Sequence, residues 1–323
     1  MKIAFFSVDP GKRAPFLSAF DSKETIFIDE ILNEDSAAKG READVACVFV
    51  DSTMSKNVID AMPNLKFIAT RSTGYNHIDV EYAKSKGIPV ANVPAYGSYT
   101  VAEFTFGLLL NLSRKLMEAG NYVKNTMDFH YNSTMEGFDL HGKTIGVVGT
   151  GKIGKNVIKI AQGFGMKVVA CDIYPDEAFA KEHDFEYKSL PEVLRESDIV
   201  TLHTPYTPES NHLINKENVA LMKKGAYLIN SARGELIETE ALVWGLKEGI
   251  IAAAGLDVLE EEKNLKKGEK TPVCELNREL MRMPNVLITP HSAFYTLEAV
   301  AEISKVTVDN IKSFIAGSPE NLV

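Results

Sequence analysis

Among 323 residues there are only three cysteines, Cys47, Cys171 and Cys274, odd in number, far apart and without a Cys-x-x-Cys pair. That excludes a disulfide framework and a zinc site built on paired thiolates, and no metal is expected. Cys47 and Cys171 lie in apolar strand-like runs, where cysteine acts as a small hydrophobe. Long apolar stretches are also missing: none approaches the about 20 residues needed to cross a bilayer. The apolar start at Ile3–Phe6 meets Asp9, Pro10 and Gly11 too soon to be a secretion signal. A cytoplasmic location with no membrane partner is therefore expected. Positive charge is in deficit, with 35 Lys and Arg against 44 Asp and Glu and a net charge of −9. No basic stripe offers nucleic acid a surface, and an acidic chain must build any anion site locally. Low-complexity linkers and fixed-period repeats are absent as well, and no Gly-Lys-Ser/Thr follows Gly149 at the spacing of a Walker loop.

What is present is a βα alternation repeated twice. Short β-rich runs at 2–8, 25–28, 45–50, 66–70 and 88–91 are separated by helical stretches such as 58–62 and 80–86, the latter stopped by Gly87. Alternating βα units imply a parallel sheet covered by helices, here a small flavodoxin-like domain. One long helix is expected over 99–124, apolar on more than one face, followed by a polar excursion at 125–139. A second βα series has strands at 144–148, 167–171, 199–202, 226–229, 251–256 and 286–288. A last helix at about 296–316 ends before Gly317 and Pro319, and could cap the second domain or return to the first. Short hinges are expected near 93–99 and after Ala293.

The second series opens with Gly149-Thr150-Gly151-Lys152-Ile153-Gly154, between an apolar strand and a helix, and its next strand ends in Asp172. A lone GxGxxG is weak evidence, but strand, glycine turn, helix, strand and acid in this order form a dinucleotide-binding unit. Gly149 permits the tight turn, Gly151 lets backbone approach a pyrophosphate, and Gly154 lets helix and strand pack closely. The backbone N–H groups of Lys152 and Ile153 face the anion at the helix start. Asp172 can accept from the ribose hydroxyls and would repel a 2′-phosphate, which predicts NAD over NADP.

Three later strands end in polar groups. Leu228-Ile229-Asn230-Ser231-Ala232-Arg233-Gly234 runs into a guanidinium able to grip a carboxylate and polarise a neighbouring carbonyl. Asp257 ends the next strand and is followed by Glu260, Glu261 and Glu262, which taken alone read as a solvated acidic loop. Pro290 then leads into His291, a candidate acid–base group, and His203 also ends a strand. A 2-oxo acid reductase needs a carboxylate-binding Arg, an acid for the carbonyl oxygen and a carboxylate to steady that acid. Arg233, His291 and one of the glutamates supply them.

Taken with Thr70-Arg71-Ser72-Thr73-Gly74-Tyr75-Asn76-His77-Ile78-Asp79, Asn92-Val93-Pro94-Ala95-Tyr96 and Pro290-His291-Ser292-Ala293-Phe294-Tyr295, the whole chain resembles the D-isomer-specific 2-hydroxyacid dehydrogenases, most of all their D-lactate branch. The resemblance implies an Arg233/Glu262/His291 triad, with Glu262 chosen because the family's glutamate lies about five residues past the strand-end aspartate. It implies that backbone N–H groups near Gly74 and Tyr75 hold the substrate carboxylate, that Tyr96 lies over the substrate, and that Thr204, Pro205, Asn211, Ser231, Ala232 and Asp257 line NAD. It further implies a Rossmann NAD domain (99–295) inserted in the flavodoxin-like substrate domain (1–98 and 296–323), and a homodimer made through 121–140. The expected reaction is reversible reduction of pyruvate or a similar 2-oxo acid. Glyoxylate or hydroxypyruvate reduction, and an NADH-sensing corepressor-like binding protein, are the alternatives. Gly97-Ser98-Tyr99-Thr100 departs from the lactate pattern, and the insert at 260–283, long as in the lactate branch, differs in detail; both bear on which acid is used.

Overall fold

The computed structural model describes residues 1–323, which divide into two units: Met1–Tyr96 with Tyr295–Val323, and Gly97–Phe294. The first unit holds strands β1 (Ile3–Phe6), β2 (Thr25–Ile28), β3 (Val45–Val48), β4 (Phe67–Thr70) and β5 (Val90–Ala91). They form one sheet in the order β2-β1-β3-β4-β5, with every pairing parallel. β1, β3 and β4 are buried at every position. Uninterrupted apolar strands of this kind belong to sheets covered on both faces. The strand order is that of flavodoxin-like sheets.

One face of this sheet is covered by the helix Leu297–Ile315, started by Thr296, whose hydroxyl accepts from Ala299 N. Val308 and Ile311 join the core of Ile3, Phe5, Val45, Phe67 and Ala69, and the Phe314 ring stacks on Phe67 at 4.4 Å. Such ring pairs contribute roughly 0.5–1.5 kcal/mol beyond their buried area. Asn310 donates to the Asn92 carbonyl at 2.8 Å, and Ala91 bridges Leu322, so the chain end is stitched to the β5 edge.

The second unit holds β6 (Thr144–Val148), β7 (Lys167–Cys171), β8 (Glu186–Tyr187), β9 (Ile199–Leu202), β10 (Ala226–Asn230), β11 (Ile251–Leu256) and β12 (Val286–Ile288). Their order is β12-β11-β10-β9-β6-β7-β8, again all parallel. Both sheets are thus the doubly wound α/β type expected from the sequence. The second has the Rossmann order, in which the sequence direction reverses between β6 and β9. β8 was not legible, since two half-polar residues carry no strand signal.

The expected single helix over 99–124 is two helices, Ser98–Arg114 and Leu116–Thr126, broken at Lys115, which has φ +53°. The cause is tertiary. Phe138 N donates to the Ser113 carbonyl at 2.9 Å, taking an acceptor that a continuing helix would use. Gly137 lies so close that a Cβ there would sit 2.2 Å from that same oxygen. The first helix buries Phe106, Leu108, Leu109 and Leu112 in the core, whereas the second buries nothing. The segment beyond leaves Met127, Phe129 and Tyr131 almost fully exposed.

Candidate active site

The glycine turn after β6 lies at the reversal point of the second sheet. Gly149 has φ +92°, and a Cβ on it would meet the backbone of His203 and Thr204 at 2.7 Å. His203 N donates to the Val148 carbonyl at 2.7 Å, and Thr204 Oγ1 does so at 3.2 Å. The turns after β6 and β9 therefore touch at a position only glycine can fill. A Cβ on Gly154 would lie 2.0 Å from the Gly149 carbonyl, whereas one on Gly151 would meet nothing within 4 Å. Gly154 is a packing glycine, and Gly151 faces open space at the cap of the helix Lys152–Gly163. The first-turn N–H groups of that helix, Lys152 and Ile153 among them, have no intrahelical acceptors.

Asp172 follows β7. Its Oδ2 accepts from Thr150 N at 2.6 Å and Thr150 Oγ1 at 2.9 Å, and its Oδ1 accepts from Tyr174 N at 2.9 Å. Burial opposes its ionisation, but these hydrogen bonds outweigh burial and hold the carboxyl below its ordinary range. An ionised acceptor tied to the glycine turn, open space at Gly151 and free first-turn amides fit a dinucleotide. Thr204 is half-buried, and Pro205 and Asn211 are exposed on the turn after β9, where Ser210 Oγ donates to the Pro205 carbonyl at 2.9 Å. Ser231 Oγ lies 3.0 Å from Thr105 Oγ1.

Arg233, Asp257 and His291 follow β10, β11 and β12, three neighbours in the sheet, so their turns lie side by side at its carboxyl edge. The Arg233 turn is shaped by Asn230, whose amide donates to the Arg233 carbonyl at 2.8 Å and whose Oδ1 accepts from Ala232 N at 3.0 Å. The Arg233 guanidinium donates to the Ala232 carbonyl at 2.6 Å. The next residue, Gly234, touches the Glu-bearing loop: a Cβ there would be 2.0 Å from the Leu259 carbonyl carbon and 2.3 Å from Glu260 N.

His291 Nδ1 is 2.8 Å from Glu262 Oε1, both side chains being about one-fifth exposed. Burial works against the Glu262 charge, but the bond and charge of His291 outweigh it and keep the carboxyl below its usual range. His291 itself has φ +54°, a strained backbone for a side-chain-bearing residue. Asp257 holds that strain in place. Its carbonyl accepts from His291 N at 2.8 Å, and its carboxylate accepts from Thr289 Oγ1 at 2.6 Å, Ser292 N at 2.9 Å and Ala293 N at 2.8 Å. Burial pushes the Asp257 carboxyl above its ordinary value against these bonds.

The acidic turn is not a solvated loop. Glu260 pairs with His212 Nε2 at 2.7 Å and accepts from Thr239 Oγ1 at 2.6 Å. Glu261 accepts from Thr271 Oγ1 at 2.5 Å and Asn264 Nδ2 at 3.2 Å. Three successive glutamates thus serve three different partners, and only Glu262 reaches His291. Sequence reasoning missed His212, Thr239 and Asn277, whose amide donates to the Glu260 carbonyl at 2.7 Å, because their partners are distant in the chain. Gly74, Tyr75 and Tyr96 belong to the first unit; Arg233, Glu262, His291 and the cofactor candidates belong to the second.

A Rossmann-ordered sheet, a glycine turn tied to an ionised aspartate, and a paired His and Glu beside an Arg turn define an NAD-dependent oxidoreductase of the doubly wound α/β class. A family model for the NAD-binding domain of D-isomer-specific 2-hydroxyacid dehydrogenases matches residues 106–293, and the chain belongs to that family, in its D-lactate dehydrogenase branch. It is 37% identical to the D-lactate dehydrogenase of Escherichia coli over 308 residues, 93% of this chain and 92% of that one. It is 40% identical to an aromatic 2-oxoacid reductase of Clostridium sporogenes over 323 residues, 97% of this chain and 96% of that one. The crystal structure of the Aquifex aeolicus D-lactate dehydrogenase complexed with NAD and lactic acid superposes with a TM-score of 0.89 at 38% identity, covering 100% of this chain and 99% of that one. No helix is long and apolar enough to cross a membrane.

Proposed function

We propose that this enzyme reversibly reduces pyruvate, or a 2-oxo acid of similar size, to the D-2-hydroxy acid. The observation that carries the reading is the 2.8 Å Glu262–His291 pair on the turn beside Arg233. Arg233 binds the 2-oxo acid and polarises its carbonyl. Glu262, ionised at neutral pH, takes the Nδ1 side of His291 and leaves Nε2 to give a proton to the developing alkoxide. In the reverse direction neutral His291 takes the hydroxyl proton, and Glu262 steadies the imidazolium that forms. Gly149–Gly154, Asp172, the turn after β9, Ser231 and Ala232 would hold NADH, which would supply the hydride for C2. The loop at Gly74 and Tyr75 receives the substrate carboxylate, and Tyr96 lies over the substrate. Asp257, read from sequence as lining NAD, is assigned here to holding the His291 turn, because its carboxylate is spent there.

Pyruvate is favoured by the D-lactate dehydrogenases among the relatives. An aromatic 2-oxo acid is the second reading, favoured by the 40% identical aromatic 2-oxoacid reductase. A homodimer through 121–140 belongs to the same proposal, supported by the exposure of Met127, Phe129 and Tyr131. A cytoplasmic location is supported by three unpaired cysteines. The test is NADH oxidation with pyruvate, phenylpyruvate, 2-oxoisocaproate, glyoxylate and hydroxypyruvate. Pyruvate should give the highest kcat/KM, and His291→Ala should lose roughly 10²–10⁴ in kcat with NADH affinity kept. Near-normal turnover in that variant would overturn the assignment of the proton to His291, and a higher kcat/KM with phenylpyruvate would replace the substrate.

A further inference from the structure

The loop after β4 divides its hydrogen bonds unevenly. The carbonyls of Ser72, Thr73, Gly74 and Tyr75 are all occupied, by Val93 N at 3.0 Å, Asn92 Nδ2 at 2.7 Å, Ser72 Oγ at 2.7 Å and Ile78 N at 2.9 Å. The N–H groups of Thr73, Gly74, Tyr75 and Asn76 donate to no acceptor in the protein. Runs of unpaired main-chain N–H groups are anion-binding elements. In a chain with net charge −9, this is the kind of local construction a carboxylate site requires.

Beneath the loop lie three side chains with almost no access to solvent: Thr70 at 0%, Ser72 at 1% and His77 at 9% exposure. Thr70 Oγ1 is 2.7 Å from Ser72 Oγ and 3.1 Å from His77 Nε2. The proton directions follow from valence. The Gly74 carbonyl can only accept, so the single Ser72 hydroxyl proton goes there. Ser72 Oγ must then accept from Thr70, which spends the single proton of Thr70. Thr70 Oγ1 in turn must accept from His77, so Nε2 carries a proton. The chain runs one way, from His77 through Thr70 and Ser72 to the Gly74 carbonyl. Bonds in such a chain polarise one another. The last one acts on the peptide whose other end is the Tyr75 N–H, making that amide a stronger donor.

We propose that His77, Thr70 and Ser72 form a one-way donor chain that fixes the amides of Thr73–Asn76, and polarises that of Tyr75, as the seat of the substrate carboxylate, and so sets affinity for the 2-oxo acid. The proposal rests on the functional reading above and extends it from two amides to four, and to three buried positioning residues that need not touch substrate. In the full-length enzyme at saturating NADH, Ser72→Ala and Thr70→Val each break the chain, and Thr70→Ser restores it. The first two should raise the KM for the best 2-oxo acid by about tenfold, the scale of one hydrogen bond, with kcat within about threefold. Thr70→Ser should return KM to near the wild-type value. In wild-type ¹H–¹⁵N spectra, His77 Nε2 should be protonated, and oxamate added with NADH should shift the amides of Thr73–Asn76. An unprotonated Nε2, or unchanged KM in folded Ser72→Ala and Thr70→Val, overturns the proposal, as does a loss confined to kcat. The wild-type spectra decide the matter if those variants do not fold. Failure of the functional reading looks different: wild-type enzyme would oxidise NADH with none of the acids while the Nε2 proton remained.

Discussion

Asp172 shows how much one carboxylate carries. It is the proposed acceptor for a ribose and, through Thr150 N and Oγ1, ties down the glycine turn at 2.6 and 2.9 Å. Hydrogen bonds to a charged acceptor contribute roughly 1.5–3 kcal/mol, so Asp172→Ala should weaken NADH binding by about 10- to 150-fold. Removing the negative charge should weaken NADPH much less and narrow the gap between the two cofactors. Titrating both nucleotides by fluorescence checks this, and an NADPH/NADH ratio equal to that of the wild type would remove Asp172 from the ribose. The family resemblance picks Glu262 as the partner of His291, but the residues alone do not give their 2.8 Å pairing, because Glu260 and Glu261 are chemically equal alternatives.

At the level of elements, the chemistry depends on how closely neighbouring turns approach. Gly234 is the contact between the turn carrying Arg233 and the loop carrying Glu262, with no room for even one carbon. Gly234→Ala must push the two turns apart. It should cost about 1–3 kcal/mol of stability, as overpacking usually does, and lower kcat by at least about tenfold while leaving NADH affinity nearly unchanged. Thermal unfolding and steady-state kinetics together test it; an alanine variant with wild-type kcat would mean that the loops tolerate separation. The broken helix at Lys115 teaches a related lesson. The apolar pattern favours continuation, yet the returning strand of chain at Gly137 and Phe138 claims the Ser113 carbonyl and the helix stops.

Across the whole molecule, acid stability reflects groups the fold keeps in one protonation state. Burial pushes the His203 imidazole down to about 3. Below its ordinary pKa near 6.5 the unfolded chain binds a proton that the folded chain refuses, so stability falls as pH drops from there toward 3. The contribution approaches at most about 1.4 kcal/mol per pH unit. Melting temperatures of His203→Asn should therefore fall less steeply than wild type between pH 6 and pH 4. Parallel curves would show that other groups control the acid limb. Glu262 adds in the same sense: its lowered pKa gives stability at neutral pH that is lost as pH falls through the folded-state value.

By itself, the sequence determined the two βα series, the NAD fingerprint ending in Asp172, and the reactive residue types at strand ends, because these depend on local periodicity and short spacings. Only the tertiary structure decided that Glu260 and Glu261 are spent on other partners while Glu262 bonds His291, that Asp257 braces the strained His291 turn, and that Thr70, Ser72 and His77 align beneath the Gly74 loop. Those outcomes are set by the order of strands in each sheet and by contacts between turns far apart in the chain, which no local pattern encodes.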